Sequence, residues 1–134
     1  MIEVLLDSDT LSLFLRSQPS VRARAYEYLA FHDGFTFSVI THFEILRGLK
    51  VKDATAQIKK FGEICEVSNE IELSPEVIRI ATDIYANLHN LGKIIGDADI
   101  LIAATALHLD FPVVTNNEKH FARIPGLEVI NWNK

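Results

Sequence analysis

The sequence has a single cysteine, Cys65, in 134 residues. One cysteine excludes a disulfide within the chain and is typical of proteins from a reducing compartment. Long apolar runs are also absent, since no stretch approaches the roughly 18 residues of a membrane-spanning helix. The first residues, MIEVLLDSDT, show no basic segment ahead of an apolar core, as a secretion signal would. We therefore expect a cytoplasmic protein without a membrane segment.

Positive charge is scarce as well. The 13 lysines and arginines are outnumbered by 18 aspartates and glutamates, which gives a formal net charge of -5. This balance does not favour non-specific adhesion to nucleic acid or to anionic membranes. A nucleic-acid substrate would therefore require metal ions and a local basic patch. Histidine and cysteine are too scattered along the chain for the usual zinc-ligand spacings, so the spacing predicts no zinc site.

What the sequence does contain is an ordinary globular composition. Apolar residues make up 49% and charged residues 23% of the chain, so disorder is not expected. A length of 134 residues suits one domain with a core of its own. No linker, repeat or low-complexity tract interrupts the chain, and we interpret residues 1–134 as a single domain.

Short apolar strands alternate with helices along the chain. The pattern predicts strands at residues 2–6, 35–38, 67–73, 112–115 and 128–131. It predicts helices at residues 10–16, 21–31, 41–49, 53–63, 75–91 and 97–109. Apolar residues lie nearly all round the last of these helices, which indicates a buried helix. Strands separated by helices form right-handed crossovers, so we expect a mostly parallel sheet of four to five strands, covered on both faces.

Acidic and amide side chains are concentrated in four short segments, which follow predicted strands or open a helix. The segments are LLDSDTL, THFEILRGL, GDADILIAATAL and VTNNEKHF. In one parallel sheet these segments meet at the edge formed by the carboxyl ends of the strands, where open α/β sheets place ligands. Carboxylates that converge there repel one another unless a cation lies among them. The candidate residues are Asp7, Asp9, Glu44, Asp97, Asp99, Asn116, Asn117 and Glu118.

The ligand types favour a hard metal ion. Mg²⁺ and Mn²⁺ take oxygen ligands in octahedral geometry and usually keep several waters beside one or two carboxylates. A metal-bound water can attack a phosphodiester, and a carboxylate outside the direct shell can orient or deprotonate that water. Basic side chains near the predicted edge would hold a phosphate backbone. They are Arg47, Lys50, Lys52, Lys93, Lys119, His120 and Arg123.

Each acid also has an ordinary structural interpretation. Asp7 and Asp9 can cap the first helix, and Glu44 completes the capping-box pattern T-x-x-E. Asp97 can cap its own helix, where the helix dipole also favours Asp99. We expect Asp9 and Asp97 to be the acids with only this role. The joint pattern favours a site, because Asp99 adjoins an apolar helix where an unpaired carboxylate is costly.

These segments resemble the motifs of PIN-domain proteins, specifically VapC-type toxins of toxin–antitoxin pairs. The matching pieces occur in the family's order and are LLDSDTLS, THFEILRGL, IGDADILIAATAL, VVTNNEKHF and IPGLEVINW. The most specific is D-x-x-I-A-A-x-A-L followed by T-x-N-x-x-x-F. The resemblance implies a three-layer α/β/α fold and an endoribonuclease that depends on Mg²⁺ or Mn²⁺. Transfer RNA is a common substrate in the family.

The resemblance also implies partners and site residues. It implies a homodimer neutralised by a VapB-type antitoxin, whose C-terminal segment lies across the active site, and contact with DNA only through that antitoxin. The family's acidic positions fall at Asp7, Glu44, Asp99 and Asn117. Asp7 and Asp99 would bind the metal directly. Glu44 and the accessory Asp97 would act through water. His120 stands where many relatives have aspartate, and Asn117 is neutral at the fourth acidic position.

Two alternatives from other classes remain open on the residues alone. The segment LDSDT also resembles the D-x-D-x-T motif of haloacid-dehalogenase-type phosphatases, in which Asp7 would be a nucleophile and Asp9 a general acid. The segment GDAD is faintly similar to the second acidic motif of that class, but the chain is short for such an enzyme and has no clear lysine at a strand end between the two motifs. The other alternative is a non-catalytic PIN-like binding module. The presence of Asp7, Glu44 and Asp99 argues against such a degenerate site.

Overall fold

A five-stranded parallel sheet forms the centre of the structure, a computed structural model that describes residues 1–134. The strands are β1 (Leu5–Leu6), β2 (Thr36–Ser38), β3 (Asn69–Ile71), β4 (Val113–Val114) and β5 (Val129–Ile130). Across the sheet the order is β3-β2-β1-β4-β5, and every neighbouring pair runs parallel. The predicted mostly parallel sheet of four to five strands is confirmed.

Seven helices connect the strands. They are α1 (Ser8–Leu15), α2 (Pro19–Leu29), α3 (Val39–Val51), α4 (Thr55–Val67), α5 (Pro75–Asn90), α6 (Asp97–Leu109) and α7 (Glu118–Phe121). None of them combines the length and the apolar character needed to cross a membrane.

Adjacent residues of the central strands face opposite helical layers. Leu6 and Val114 belong to a buried cluster shared with α1, α2 and α4, whereas Leu5 and Val113 belong to a second cluster shared with α5 and α6. This alternation follows from the two-residue period of a strand. The sheet therefore lies between two helical layers, and the expected three-layer α/β/α fold is confirmed.

The strongest local signals of the sequence give correct helix boundaries. Ser74 accepts a hydrogen bond from the Val77 N–H at 3.2 Å, and Pro75 is the first residue of α5. The bounds predicted for α6, residues 97–109, are those observed. Residues 102–106 of that helix are all buried, as its apolar circumference predicted.

Three helices, α1, α2 and α3, each begin two residues earlier than predicted. The first residue of α3 is Val39, and the Ser38 hydroxyl accepts from the Ile40 N–H at 3.0 Å. The predicted capping box at residues 41–44 therefore lies inside the helix and caps nothing. The first residue of α2 is Pro19, whose fixed φ suits that position.

Other local predictions fail where the backbone turns. The helix predicted from residue 53 starts at Thr55 instead, because Asp53 adopts a left-handed φ of 53°. Asp97 does not cap α6, since the capping position is Gly96. The short helix α7 was not predicted, because its four residues carry no periodic pattern.

The strand order places a switch point at the centre of the sheet. From β1 the chain adds β2 and β3 on one side, and later β4 and β5 on the other. Loops that leave β1 and β4 therefore diverge and open a crevice at the carboxyl ends, the usual ligand position in such sheets. Asp7 and Thr115 directly follow these two strands.

Candidate functional site

A cluster of carboxylates lies at the carboxyl ends of β1 and β4. The Thr115 hydroxyl donates to Asp7 Oδ2 at 2.8 Å and lies 3.4 Å from both carboxylate oxygens of Asp9. The Asn116 N–H donates to Asp9 Oδ2 at 3.1 Å. Parallel pairing of the two strands thus brings both acids of the first segment against the residues that follow β4.

Asp7 is the one carboxylate residue that is buried, with 4% of its surface exposed. It caps α1, since its Oδ1 accepts from the Ser8 N–H at 2.7 Å. Burial, followed by the negative charges of Asp9 and Asp99, raises the pKa of Asp7 to about 7. Hydrogen bonds from Thr115 and Ser8 act in the opposite direction. A nearby cation would favour the charged form of this carboxyl group.

Asp9 belongs to the same cluster. Burial raises its pKa, while hydrogen bonds from the Asn116 backbone and from Thr10 lower it. The expectation that Asp9 serves only to cap α1 is wrong, because Asp7 occupies that position. Asp9 instead fixes the segment that follows β4 and adds negative charge beside Asp7.

Glu44 extends from α3 toward the same edge and is held by Ser8. The Ser8 Oγ donates to Glu44 Oε1 at 2.6 Å and lies 3.1 Å from Thr41 Oγ1. Arg47 lies one helical turn further along α3, and its Nη2 is 3.8 Å from Glu44 Oε2. Because Ser8 directly follows Asp7, these contacts fix Glu44 close to the carboxyl end of β1.

Asp99, Asn117 and His120 form a triangle of polar atoms within the site. Asp99 Oδ2 lies 3.0 Å from His120 Nδ1 and 3.4 Å from Asn117 Nδ2. The remaining edge, between Asn117 Nδ2 and His120 Nδ1, measures 2.7 Å. Ligands on one face of an octahedron are about 3.0 Å apart when each lies about 2.1 Å from the metal. The observed separations bracket that value.

The triangle accommodates either a hydrogen-bonded or a metal-bound arrangement when the Asn117 amide turns its oxygen inward. With the imidazole proton on Nδ1, His120 donates to Asp99 and Asn117. With the proton on Nε2, all three side chains present lone pairs to one point. The donor set therefore fits a divalent metal ion.

Two other acids of these segments lie outside the cluster. Asp97 is exposed and lines a cavity of about 270 Å³ between α5 and α6. Residues two apart on a helix point about 200° apart, so α6 does not direct both Asp97 and Asp99 to one site. Glu118 accepts from Asn131 at 3.0 Å and pairs with Lys134 at 2.9 Å. These two contacts lower the pKa of Glu118.

A groove of about 310 Å³ adjoins the cluster between α1, α3 and α4. Its polar lining includes Ser8, Asp9, Glu44, Arg16, Arg47, Lys52 and Gln57. Three of the predicted basic residues thus lie beside the carboxylates, Arg47 and Lys52 in the groove and His120 against Asp99. Arg123 does not, since it donates to the carbonyls of residues 93 and 94 at 3.4 Å. Cations next to a metal-binding cluster suit a substrate with several phosphates.

The structure brings together the four predicted site residues, Asp7, Glu44, Asp99 and Asn117. Sequence reasoning gave no role to Ser8 and Thr115, whose hydroxyls hold Glu44 and Asp7. The sequence did contain a signal for their role, because Ser8 and Thr115 lie within two residues of a predicted strand end at the ligand-binding edge.

Comparison with known proteins agrees with this geometry. A family model described as PIN domain matches residues 4–127. A "Ribonuclease VapC1" of Methanocaldococcus jannaschii is 34% identical over 98 residues, which are 72% of this chain and 70% of that protein. A "Ribonuclease VapC1" of Haemophilus influenzae is 28% identical over 131 residues, which are 97% of this chain and 98% of the relative.

Solved structures show the same fold over nearly the full length. The VapBC2 complex of Rickettsia felis, bound to a promoter DNA fragment, contains a chain 26% identical with a TM-score of 0.86. The DNA-bound VapBC complex of Salmonella typhimurium contains a chain that is 25% identical to this one, also with a TM-score of 0.86. In both cases the match covers 98% of this chain and 99% of the other. The chain therefore belongs to the PIN domain family, and within it to the VapC-type proteins of toxin–antitoxin systems.

Proposed function

We propose that this protein is the toxin of a VapBC-type pair and that it cleaves RNA as a Mg²⁺- or Mn²⁺-dependent endoribonuclease. The observation that carries the proposal is the triangle of Asp99, Asn117 and His120 near the buried Asp7. Its atoms have the spacing of ligands on one face of an octahedron, and in one tautomer and amide orientation they all present lone pairs to a divalent cation. The relatives named ribonuclease support RNA as the substrate.

The ion would be held by side chains from the ends of β1 and β4 and from helices α6 and α7. Asp7, Asp99, Asn117 and His120 would supply the direct ligands, and Glu44 and Asp9 would act through water. When bound, Mg²⁺ or Mn²⁺ supplies a Lewis acid and lowers the pKa of a coordinated water. Asp97 has no part in this assignment, because it is exposed on the α5–α6 side.

The remaining side chains would orient the attacking water, accept its proton, or hold the Asp7 carboxylate in place. Glu44 is placed to orient the attacking water or to accept its proton, because Ser8 holds one of its oxygens at 2.6 Å. Thr115 and the Ser8 N–H hold the Asp7 carboxylate from two directions, so it cannot turn away from the site. Such fixed orientation is itself a catalytic contribution.

The groove beside the cluster would bind the phosphate backbone of the RNA. Arg16, Arg47 and Lys52 supply positive charge on its wall although the chain as a whole is acidic. The phosphate to be cleaved would then lie at the end formed by Asp9 and Glu44. Transfer RNA is the substrate class we propose, and an RNA substrate is consistent with the expected cytoplasmic location.

Partners follow from the same site and from the relatives. Three of the similar solved structures are VapBC complexes, two of these bound to DNA, and we propose a VapB-type antitoxin here, with DNA contacted through it. A homodimer is also proposed. Ile78 and Tyr85 of α5 are exposed beside the apolar cavity shared with α6, and a second copy could cover them.

The test is cleavage of purified transfer RNA and of an unstructured RNA by protein stripped with EDTA. Adding Mg²⁺ or Mn²⁺ should restore cleavage, and Asp99→Asn should prevent it. Asp97→Asn is the matched control on the same helix and should behave as wild type. A folded protein that cleaves neither RNA with either metal, yet binds its antitoxin, would favour the non-catalytic binding module. Family membership already sets aside the phosphatase interpretation of Asp7 and Asp9.

A further inference from the structure

A second group of metal-ligating side chains lies away from the carboxylate cluster. His42, Cys65 and Glu70 come from α3, α4 and β3, and their ligand atoms all lie within 4.8 Å of one another. His42 Nδ1 is 2.5 Å from Glu70 Oε1. Although His42 is only two residues from Glu44, the two side chains leave α3 about 200° apart. The group is therefore separate from the proposed ribonuclease site.

The fold explains how these distant residues meet. β3 is an edge strand of three residues, and its central residue Glu70 pairs in register with Phe37 of β2. Paired residues of neighbouring strands face the same side of a sheet, here the side on which Phe37 contacts Phe61 of α4. The His42 ring lies edge-on to Phe61, with their centroids 5.3 Å apart. The three ligand-bearing residues thus meet on the side of the sheet that α4 covers.

The ligand types differ from those of the carboxylate cluster. An imidazole, a thiol and one carboxylate favour zinc, whereas magnesium prefers oxygen ligands throughout. Tetrahedral zinc with nitrogen or oxygen at about 2.0–2.1 Å and sulfur at about 2.3 Å separates its ligands by about 3.3–3.8 Å. Rotation of three partly exposed side chains can reach those separations from the observed ones. The half-exposed His42 and Glu70 leave a fourth position open to water.

The Cys65 thiol lies beside a negatively charged side chain. Burial, and then the negative charge of Glu70, raise the pKa of the Cys65 thiol. A bound divalent ion would reverse that effect, because metal coordination deprotonates a thiol.

We propose that His42, Cys65 and Glu70 bind one Zn²⁺ ion, with water as the fourth ligand. The ion would fasten the edge strand β3 and helix α4 to helix α3. The sequence gave no sign of this site, because its ligands come from three separate elements and therefore show no zinc-type spacing. The proposal does not depend on the ribonuclease function, since the two ligand sets share no residue.

Cobalt provides the sharpest test, because Co²⁺ bound to a thiolate gives a charge-transfer absorption in the near ultraviolet. Cys65 is the only cysteine of the chain, so that band reports this site alone. Metal-free protein titrated with Co²⁺ should show the band, and Zn²⁺ should abolish it by displacement. Cys65→Ser should lack it, and Asp99→Asn, which alters the carboxylate cluster, should keep it.

Zinc affinity tests the other two ligands. Competition with a chromophoric chelator, in the Asp99→Asn background, should show that His42→Asn and Glu70→Gln each weaken Zn²⁺ binding at least about tenfold. His108→Asn is the control, since His108 is exposed on α6. Thermal unfolding without metal will show that each variant is folded. The proposal is overturned if Co²⁺ gives no thiolate band, or if folded His42→Asn and Glu70→Gln bind zinc as tightly as their parent.

Discussion

The Thr115 hydroxyl and the Asp7 carboxylate lie 2.8 Å apart, although 108 residues separate them in the chain. The contact exists because β1 and β4 are neighbours in the sheet and both end at the same edge. It joins the first acidic segment to the last, and it leaves Asp7 buried next to Asp9 and Asp99. The ribonuclease proposal depends on this concentration of negative charge, and the first predictions test it directly.

Asp7→Asn and Asp99→Asn should each lower RNA cleavage by at least about a hundredfold, the effect of losing one charge contact in a transition state. Both replacements are nearly isosteric, so circular dichroism should remain that of wild type. Asp97→Asn should cleave normally, because Asp97 is exposed away from the cluster. Full activity of Asp99→Asn with wild-type affinity for metal would disprove the site assignment.

The pKa of Asp7 predicts how the stability of metal-free protein depends on pH. Its folded pKa of about 7 lies above the ordinary value of about 3.9, so the folded state binds more protons between these limits. The contribution of Asp7 to the free energy of unfolding therefore falls as pH rises from about 4 to about 7. Asp9 changes stability in the same direction, because its pKa is raised too.

Thermal unfolding of metal-free protein at pH 5 and pH 8 measures this effect. Relative to wild type, Asp7→Asn should gain stability at pH 8, by about 5 °C in Tm. The gain should be smaller at pH 5, roughly a third as large, because pH 5 lies only about one unit above the ordinary pKa at which the unfolded carboxyl group ionises. Mg²⁺ or Mn²⁺ should raise the Tm of wild type at pH 8 more than that of Asp7→Asn. An equal difference between the two proteins at both pH values would contradict the raised pKa.

His120 should make the site prefer Mn²⁺ to Mg²⁺. Its Nδ1 lies 3.0 Å from Asp99 Oδ2, in the position of a nitrogen ligand, and magnesium accepts nitrogen ligands less readily than a transition-metal ion does. In His120→Asp the ratio of activity with Mn²⁺ to activity with Mg²⁺ should fall about tenfold. Calorimetric titration should show the same change in relative affinity. An unchanged ratio would mean that His120 does not touch the metal.

Ser8 should act by positioning Glu44. Removing its hydroxyl in Ser8→Ala frees the Glu44 carboxylate from a 2.6 Å hydrogen bond, so we expect kcat to fall about tenfold with KM little changed. Ser8→Thr keeps a hydroxyl and should retain most of the activity. Ser12→Ala, in the same groove, is the control. A loss confined to KM would assign Ser8 to RNA binding instead.

Local sequence signals predicted some features of the structure, and tertiary contacts determine the others. The start of α5 and the bounds of α6 were predictable, because a Ser-Pro-Glu cap and an all-round apolar helix are local features. The cap of α3 was not, because Ser38 and Thr41 both suit a helix start and only the end of β2 decides between them. Likewise, Asp97 and Asp99 share a segment, and the packing of α6 determines which one faces the site.

Local sequence patterns could not predict the triangle of Asp99, Asn117 and His120, nor the group of His42, Cys65 and Glu70. Family motifs placed Asp99 and Asn117 in one site, but the contact of His120 with both depends on the unpredicted helix α7. His42 and Cys65 lie on separate helices, and their meeting with Glu70 depends on the register of an edge strand. Such clusters become visible only when non-local packing is known.

The last prediction concerns the antitoxin. The carboxylates that attract Mg²⁺ also attract a guanidinium group, which pairs with carboxylates in bidentate geometry. An antitoxin segment with an arginine would then enter the groove lined by Asp9, Glu44 and Lys52 and exclude the metal from Asp7 and Asp99. Raising Mg²⁺ against the purified complex should restore RNA cleavage, and replacing the antitoxin arginine with alanine should lower the Mg²⁺ concentration required. A conservative change to lysine should leave an intermediate requirement, since lysine keeps the charge but loses the bidentate contact. If neither high Mg²⁺ nor loss of every such arginine relieved inhibition, the antitoxin would instead act by covering the path of the RNA along the groove.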